Sequence, residues 1–262
     1  MRLLKKHFEG LDLDSPEATM LHGELIRGKK LLRHWYEIQY GKYIGLISAM
    51  PAGRHVELGS GGGFLKELCP FVTTSSLLPE HAGKIVDLCL DAENISLPEA
   101  SVDSFFLLDI LHHLRRPEAF FSEATRCLRP GGLIFIIEPS NTLFSQFIHK
   151  NFHHEVFNEK ADCWGHSGKG HLLDSNLATP WIIFSRDSAV FMRKFPDLEL
   201  KMLKNHSFLS YLLSGGLSYE QLLPAALVPV IDMIESVASP FINFFGIFMD
   251  ILLIKHKPAA RK

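Results

Sequence analysis

The 262-residue sequence contains four cysteines and no pairing pattern among them. Cys69, Cys89, Cys127 and Cys163 are widely separated, which argues against a disulfide framework and against paired metal-binding spacing. Reduced thiols and a cytoplasmic setting are the expectation. Positive charge is not in surplus either: 27 Lys and Arg stand against 29 Asp and Glu, a net charge of −2. Proteins that grip nucleic-acid phosphates need a basic surface, so nucleic acid is not an expected partner. The first residues, Met1-Arg2-Leu3-Leu4-Lys5-Lys6-His7, lack an apolar run of signal-peptide length. No internal repeat and no low-complexity linker is present. What the chain does have is apolar content, 47% of its residues, enough for a large core in one domain with an appended lobe.

Glycine is concentrated in Val56-Glu57-Leu58-Gly59-Ser60-Gly61-Gly62-Gly63-Phe64. This stretch reads as a buried strand, a glycine turn and a helix start. Glycine supplies the backbone angles that so short a connection needs, and the free N–H groups of a helix start favour a negative ligand group. A dinucleotide fingerprint requires glycine at its first, third and sixth positions. Counted from Gly59, the third is Gly61 but the sixth is Phe64. Glu57 would repel a pyrophosphate, yet it suits a ligand that carries an ammonium group. The combination therefore points to S-adenosylmethionine rather than to a nicotinamide dinucleotide.

The surrounding chain alternates between helix and strand signals. Ser15-Pro16-Glu17 starts a helix, with a capping hydroxyl, a first-turn proline and an acid at the positive dipole end. Helical character is expected to about Met50, with a break near Gly41 or Gly45. Basic and aromatic residues mix in Lys29–Tyr36, either as a cover over the cofactor or as an amphipathic helix with a solvated basic face. After the glycines, strands are expected at Phe71–Thr74, Lys84–Leu90, Val102–Ile110 and Leu133–Ile137, with helices at Phe64–Cys69 and Pro117–Cys127. The last of these strands is fully apolar, as a buried parallel sheet requires. Such alternation predicts a doubly wound α/β sheet that binds ligands beyond the carboxyl ends of its strands.

Four segments occur in an order that resembles the class I S-adenosylmethionine-dependent methyltransferases. They are Glu57–Gly63, Asp91-Ala92-Glu93-Asn94-Ile95-Ser96-Leu97-Pro98, Asp109-Ile110-Leu111-His112-His113-Leu114, and Leu128-Arg129-Pro130-Gly131-Gly132. The resemblance covers roughly residues 54–140 and is to the small-molecule branch, because the Asn-Pro-Pro-Tyr type signature of nucleic-acid enzymes is absent. It implies a Rossmann-like, seven-stranded, mostly parallel sheet with an N-terminal helical segment and an inserted helical lid. The expected divisions are an N-terminal cap (1–50), a cofactor-binding core (51–140), a substrate lid or lobe (141–197) and final elements completing the sheet (198–262). It also implies that Glu57, Gly59, Ser60, Gly61 and Gly63 surround the methionine end, that Asp91 and Ala92 meet the adenine, and that Asp109 and Ile110 form the floor. As plain structural elements, Asp91 is also a turn former and Asp109 a helix cap.

One position departs from the family pattern. The acid that holds the ribose hydroxyls is expected nineteen residues beyond Glu57, where this chain has Ser76, and no acid follows before Glu80. Loss of a charge-assisted bond there costs on the order of 1–2 kcal/mol. Methyl transfer itself asks the protein to align the acceptor, exclude water and, for a hydroxyl acceptor, remove a proton. His112 and His113 are candidate bases, with His153, His154 and Glu155 as further candidates, and each histidine also reads as an ordinary surface or core residue. The cluster His153-His154-Glu155 with His166 and His171 suggests a metal, but adjacent histidines do not share one helical face and the looser pair has no zinc-like spacing, so no metal is expected.

Residues 141–231 are rich in aromatics beside glycine and histidine, as in Trp164-Gly165-His166, Pro180-Trp181-Ile182-Ile183-Phe184 and Phe208–Gly216. They suit either a lid over an apolar or aromatic acceptor or plain packing onto the sheet. Ser236–Ile254 mimics a membrane span, but Pro240, Gly246 and Asp250 interrupt it, and a methyltransferase sheet needs two final antiparallel strands, expected at Leu198–Leu203 and Ile247–Ile254. Peripheral membrane contact stays open, and oligomeric state is not legible. The functional expectation is methyl transfer to a small, apolar or aromatic molecule. The alternatives are a catalytically inactive methyltransferase-like binding protein and, further off, a nicotinamide-dependent oxidoreductase.

Overall fold

The computed structural model describes residues 11, 15–153, 155–166 and 175–257. Its centre is a seven-stranded sheet of β1 (His55–Leu58), β2 (Thr73–Ser76), β3 (Leu88–Cys89), β4 (Val102–Leu108), β5 (Leu128–Pro139), β6 (Leu198–His206) and β7 (Phe248–Lys255). The spatial order is β3-β2-β1-β4-β5-β7-β6. Strands β1 to β5 pair in parallel, and β7 runs antiparallel to both β5 and β6. The doubly wound, mostly parallel fold is as expected. The two final antiparallel strands also lie where expected, and β7 alone is reversed within the sheet.

The helices among the described residues are α1 (Pro16–Gly28), α2 (Lys30–Ser48), α3 (Leu65–Leu68), α4 (Pro117–Cys127), α5 (Leu143–Phe152), α6 (Thr179–Trp181), α7 (Ser188–Lys194), α8 (Leu209–Ser214), α9 (Val228–Ala238) and α10 (Ile242–Phe245). Ser15 caps α1 through its hydroxyl, which accepts from Ala18 N at 3.1 Å. The opening helix breaks at Lys29, and α2 runs unbroken through Gly41 and Gly45. The reason is tertiary. Lys29 has extended backbone, and its ammonium donates to the carbonyls of Gly216 and Tyr219, which fixes the corner. The second strand is displaced toward its C-terminus relative to expectation, so that it ends on Ser76, and the third shrinks to two residues. The connection between them is a single turn, Pro79–His81.

Alternation along the central strands builds two cores. Phe105 and Leu107 of β4 join Val56, Ile134 and Ile136 against α4, α6 and α7. Phe106 and Leu108 face the other way, with Phe135 and Ile137, against Trp35, Tyr36, Tyr40 and Tyr43 of α2. Tyr43 stacks on Phe106 with ring centroids 4.4 Å apart. Trp164 and Phe184 lie in the first core, so these aromatics pack onto the sheet. The C-terminal apolar run is not one helix. It divides into α9, short turns to Phe245 and strand β7, in which buried Asp250 accepts from Lys42 at 2.8 Å. Ala225–Phe245 is nonetheless apolar and long enough, by composition alone, to cross a membrane, and almost none of it is buried.

Phe121 joins the layers of the first core. It is fully buried and touches Phe120, Phe184, Phe191 and Phe195 with ring centroids 5.0–5.8 Å apart. Removing such a ring costs about 3–5 kcal/mol in transfer and cavity energy. Phe121→Ala is expected to lower the urea midpoint by that equivalent with an unchanged m-value, read by circular dichroism.

Candidate cofactor and acceptor site

The carboxyl ends of β1, β4 and β5 each present an acid to one region. Glu57 is the penultimate residue of β1, Asp109 follows β4, and Glu138 is the penultimate residue of β5. Together with the glycine turn, the α2 tyrosines and α8, the first two border a cavity of about 1370 Å³. Ligand pockets commonly hold about 300–1,000 Å³. This one has room for a cofactor and a second molecule.

The turn is held tightly. Ser60 N donates to Ser75 O at 2.7 Å, Ser75 N to Ser60 Oγ at 3.1 Å, and Ser75 Oγ to Glu57 O at 2.8 Å. Gly59 has φ +69°, and a Cβ there would lie 2.3 Å from Ile110 Cδ1. Gly62 is a contact point rather than a hinge. A Cβ on it would fall 2.4 Å from Gly23 Cα, so α1 lies directly on the turn. Arg27 fastens that contact by donating to Gly62 O at 3.2 Å and to Glu67.

Glu57 is 1% exposed, and its Oε2 has no hydrogen-bond partner. Burial pushes its pKa up to about 8, against opposing hydrogen bonds from Ser60 and Tyr40. A buried, under-satisfied carboxyl on a cavity wall fits a ligand that brings a cation. Gly59, Ser60, Gly61, Ser76, Asp91, Ala92, Asp109 and Ile110 also line the cavity. Gly63 does not. It has φ +72°, and a Cβ there would lie 2.5 Å from Ile85 O, so its glycine serves the turn and the β3 approach, not the cavity wall. Ser76 is partly committed, since its Oγ accepts from Leu78 N at 3.1 Å and lies 3.3 Å from His81 Nδ1. Asp91 accepts from Glu93 N at 2.8 Å, while Glu93 binds Arg116 Nε at 2.9 Å, which shapes the far end of the cavity.

The other end is histidine-rich. His112 and His113 sit on the turn Leu111–His113 after β4. Only His113 lines the cavity; His112 is behind it and 1% exposed. His112 Nδ1 lies 2.5 Å from Glu138 Oε2, and Glu138 Oε1 accepts from Ile110 N and Leu111 N at 2.7 and 2.5 Å. Burial disfavours charge on His112, but Glu138, Glu155 and Asp109 outweigh it and raise its pKa. Burial and the neighbouring His112 push His113 down to about 3. Asp109 has φ +61°, and burial lifts its pKa to about 7, opposed by His112. His112 is thus committed to Glu138 and does not reach the cavity as a base would. His154 and His171 lie outside the described residues.

Sequence reading missed Glu138 and Tyr40 as site residues, while Tyr36 and Tyr211 fall in the stretches read as a cofactor cover and a lid, and Glu155 is a candidate beside His153 and His154. Glu138 carried one signal, an acid at the end of the apolar run Leu133–Ile137. Tyr40 carried none, because it reads as part of the core face of a helix.

Residues 56–136 match the family described as "Methyltransferase domain". A curated relative, the ubiquinone biosynthesis O-methyltransferase of Parvibaculum lavamentivorans, is 28% identical over 105 residues. That match takes in 34% of this chain and 42% of the relative, so the chain spans less than half of the relative's length. A chain of the Haloferax volcanii complex containing the Trm112 methyltransferase activator is similar in fold, with a TM-score of 0.50 at 13% identity, covering 94% of this chain and 97% of that one. A Thermotoga maritima S-adenosylmethionine-dependent methyltransferase aligns with a TM-score of 0.49 at 17% identity, over 91% of this chain and 94% of that one. The matched segment, residues 56–136, takes in the glycine turn and strands β1 to β4 with most of β5, so the methyltransferase-domain match falls on the parallel half of the sheet.

Proposed function

We propose that the protein transfers a methyl group from S-adenosylmethionine to a small, apolar or aromatic molecule. The observation that carries this reading is the Glu57 carboxyl, whose Oε2 lacks a hydrogen-bond partner, buried beside the glycine turn on the wall of a cavity large enough for two molecules. In this reading Glu57 takes the ammonium of the methionine moiety, and Gly59, Ser60 and Gly61 present backbone to it. Asp91 and Ala92 meet the adenine, Ser76 the ribose, and Asp109 and Ile110 the floor. When bound, the cofactor supplies a methyl group already activated on a sulfonium. The chain's part is to align the acceptor and exclude water. Tyr36, Tyr211, Leu212 and Phe248 give the acceptor side its apolar walls, and His113 its polar end. The N-terminal segment to residue 50 acts as a cap, the core to 140 holds the cofactor, and residues 141–197 form the acceptor lobe.

Glu57 makes the reading testable through protons. The buried carboxyl holds a proton below about pH 8, whereas pairing with an ammonium requires the carboxylate. Cofactor affinity is therefore expected to tighten as pH rises from 6 to 8, and calorimetry at pH 7 in buffers of different ionisation enthalpy should show release of close to one proton. Glu57→Gln should weaken binding by about 10- to 100-fold at pH 8, the range of a lost charged hydrogen bond, and flatten the pH dependence. Wild-type binding that is independent of pH and of Glu57 would sink the assignment.

The same group predicts a stability trend. Between 4.5 and about 8 the folded state holds a proton that the unfolded chain has lost, so the contribution of Glu57 to stability falls as pH rises through that window. Unliganded Glu57→Gln should be progressively more stable than wild type from pH 5 to 8 in thermal melts.

The surface near α9 supports peripheral contact with a lipid bilayer, consistent with an apolar acceptor, in a protein whose described cysteines are all free thiols and which we place in the cytoplasm. The acids of α9 are paired within the protein: Asp232 meets His34 at 3.1 Å, and Glu235 accepts from the backbone N–H groups of Phe208, Leu209 and Ser210. Met233, Val237 and Phe241 are 59%, 74% and 65% exposed, reversing the usual polarity of a surface helix. Wild-type protein should cosediment with phosphatidylcholine vesicles with little sensitivity to salt. The double variant Val237→Asp, Phe241→Asp should stay in the supernatant with an unchanged melting temperature.

A further inference from the structure

The histidine-rich end of the cavity holds a geometry that acid–base work does not account for. Glu138 is fully buried and uses one oxygen on two backbone N–H groups and the other on His112 Nδ1. This fixes the His112 ring with Nδ1–H toward Glu138 and Nε2 turned away. His112 Nε2 is buried and has no hydrogen-bond partner. It faces Glu155 Oε2 at 3.6 Å, and the other oxygen of Glu155 lies 3.4 Å from His113 Nε2. Both separations are longer than the 2.7–3.2 Å typical of an N–H···O hydrogen bond.

The two contacts use different oxygens of Glu155, and each is close to one ligand–ligand edge of a metal site. Nitrogen and oxygen ligands about 2.0–2.2 Å from a tetrahedral zinc ion stand about 3.3–3.6 Å apart. The ligand atoms of His112, His113 and Glu155 all lie within 4.8 Å of one another. The Glu138–His112 bond is the outer support that holds a metal-binding imidazole in one tautomer and orientation. At 2.5 Å that pair is too close for both groups to ligate one ion, so Glu138 is a support and not a ligand.

We infer that His112 Nε2, His113 Nε2 and Glu155 bind one Zn²⁺ ion in the cavity wall. Three protein ligands leave one tetrahedral position, and it opens toward the cavity that His113 and Glu155 line. That position suits an oxygen of the acceptor, an extension that rests on the methyltransferase reading above; the metal site itself does not. The sequence expectation weighs a metal only at the cluster of His153, His154 and Glu155, and sets it aside because neighbours on a regular helix point apart. On the tight turn Leu111–His113 the rings of His112 and His113 instead lie side by side, with centroids 4.1 Å apart.

The test is stoichiometric binding. Full-length protein stripped with a chelator is titrated with Zn²⁺ against a competing indicator, and separately loaded with Co²⁺ for absorption spectroscopy. One Zn²⁺ per chain, a rise in melting temperature and the intense visible bands of four-coordinate Co²⁺ are expected. His113→Asn and Glu155→Gln should each weaken Zn²⁺ binding at least 100-fold and abolish the melting-temperature rise. Glu138→Gln should weaken binding 10- to 100-fold. Circular dichroism identifies any variant that does not fold, and the near-isosteric Glu155→Gln then decides. Sub-stoichiometric zinc in wild type, or binding that Glu155→Gln leaves intact, overturns the site. Cofactor binding is measured on the same samples: zinc-free protein that still binds S-adenosylmethionine refutes only the metal site, whereas zinc binding without cofactor binding refutes only the methyltransferase reading.

Discussion

Three carboxylic acids are carried to the carboxyl edge of an apolar sheet, and the surrounding chain must answer each one. A buried ionised group is tolerated only with partners, and otherwise gives up its charge. Glu138 is answered within the protein, by two backbone N–H groups and an imidazole. Asp109 is partly answered by His112, 3.9 Å away. Glu57 is left short, with a bare Oε2 and a pKa lifted to about 8. The fold thus holds a group that a cationic ligand completes, in the place where the strand order opens a crevice.

The N-terminal helices follow from the same edge. A glycine turn that leaves its backbone bare can be covered closely, and α1 does so through Gly23 against Gly62. Lys29 then turns the chain, and α2 lays Tyr36 and Tyr40 beside Glu57 and the turn. Their hydroxyl-bearing rings are fully buried, which keeps both phenols protonated and well above their ordinary pKa. One helix pair therefore both seals the second core and narrows the cofactor end of the cavity.

Much of the sheet was legible because period-two and fully apolar runs map directly onto buried strands. Pro117–Cys127 was read to the residue, since its first-turn proline and the glycines after it punctuate the chain locally. Strands β2 and β3 were read less well. Their short runs, TTSS and LC, have little hydrophobic signal, and pairing with neighbours decides their extent. The break at Lys29 was invisible because its cause, two carbonyls nearly 190 residues away, has no local trace.

The sequence by itself determined the glycine turn, the acid before it and the order of the motifs. These are local patterns whose physics is set within a few residues, and they carry the resemblance that the methyltransferase-domain match over residues 56–136 repeats. Only the tertiary structure decided that Gly63 faces away from the cavity, that His112 lies behind His113, and that Glu138 and Glu155 join them. Those four groups come from three separate stretches of chain, and their spacing depends on how β4, β5 and the segment after α5 pack. Side-chain chemistry assembled across such distances follows from packing, which a linear pattern does not record.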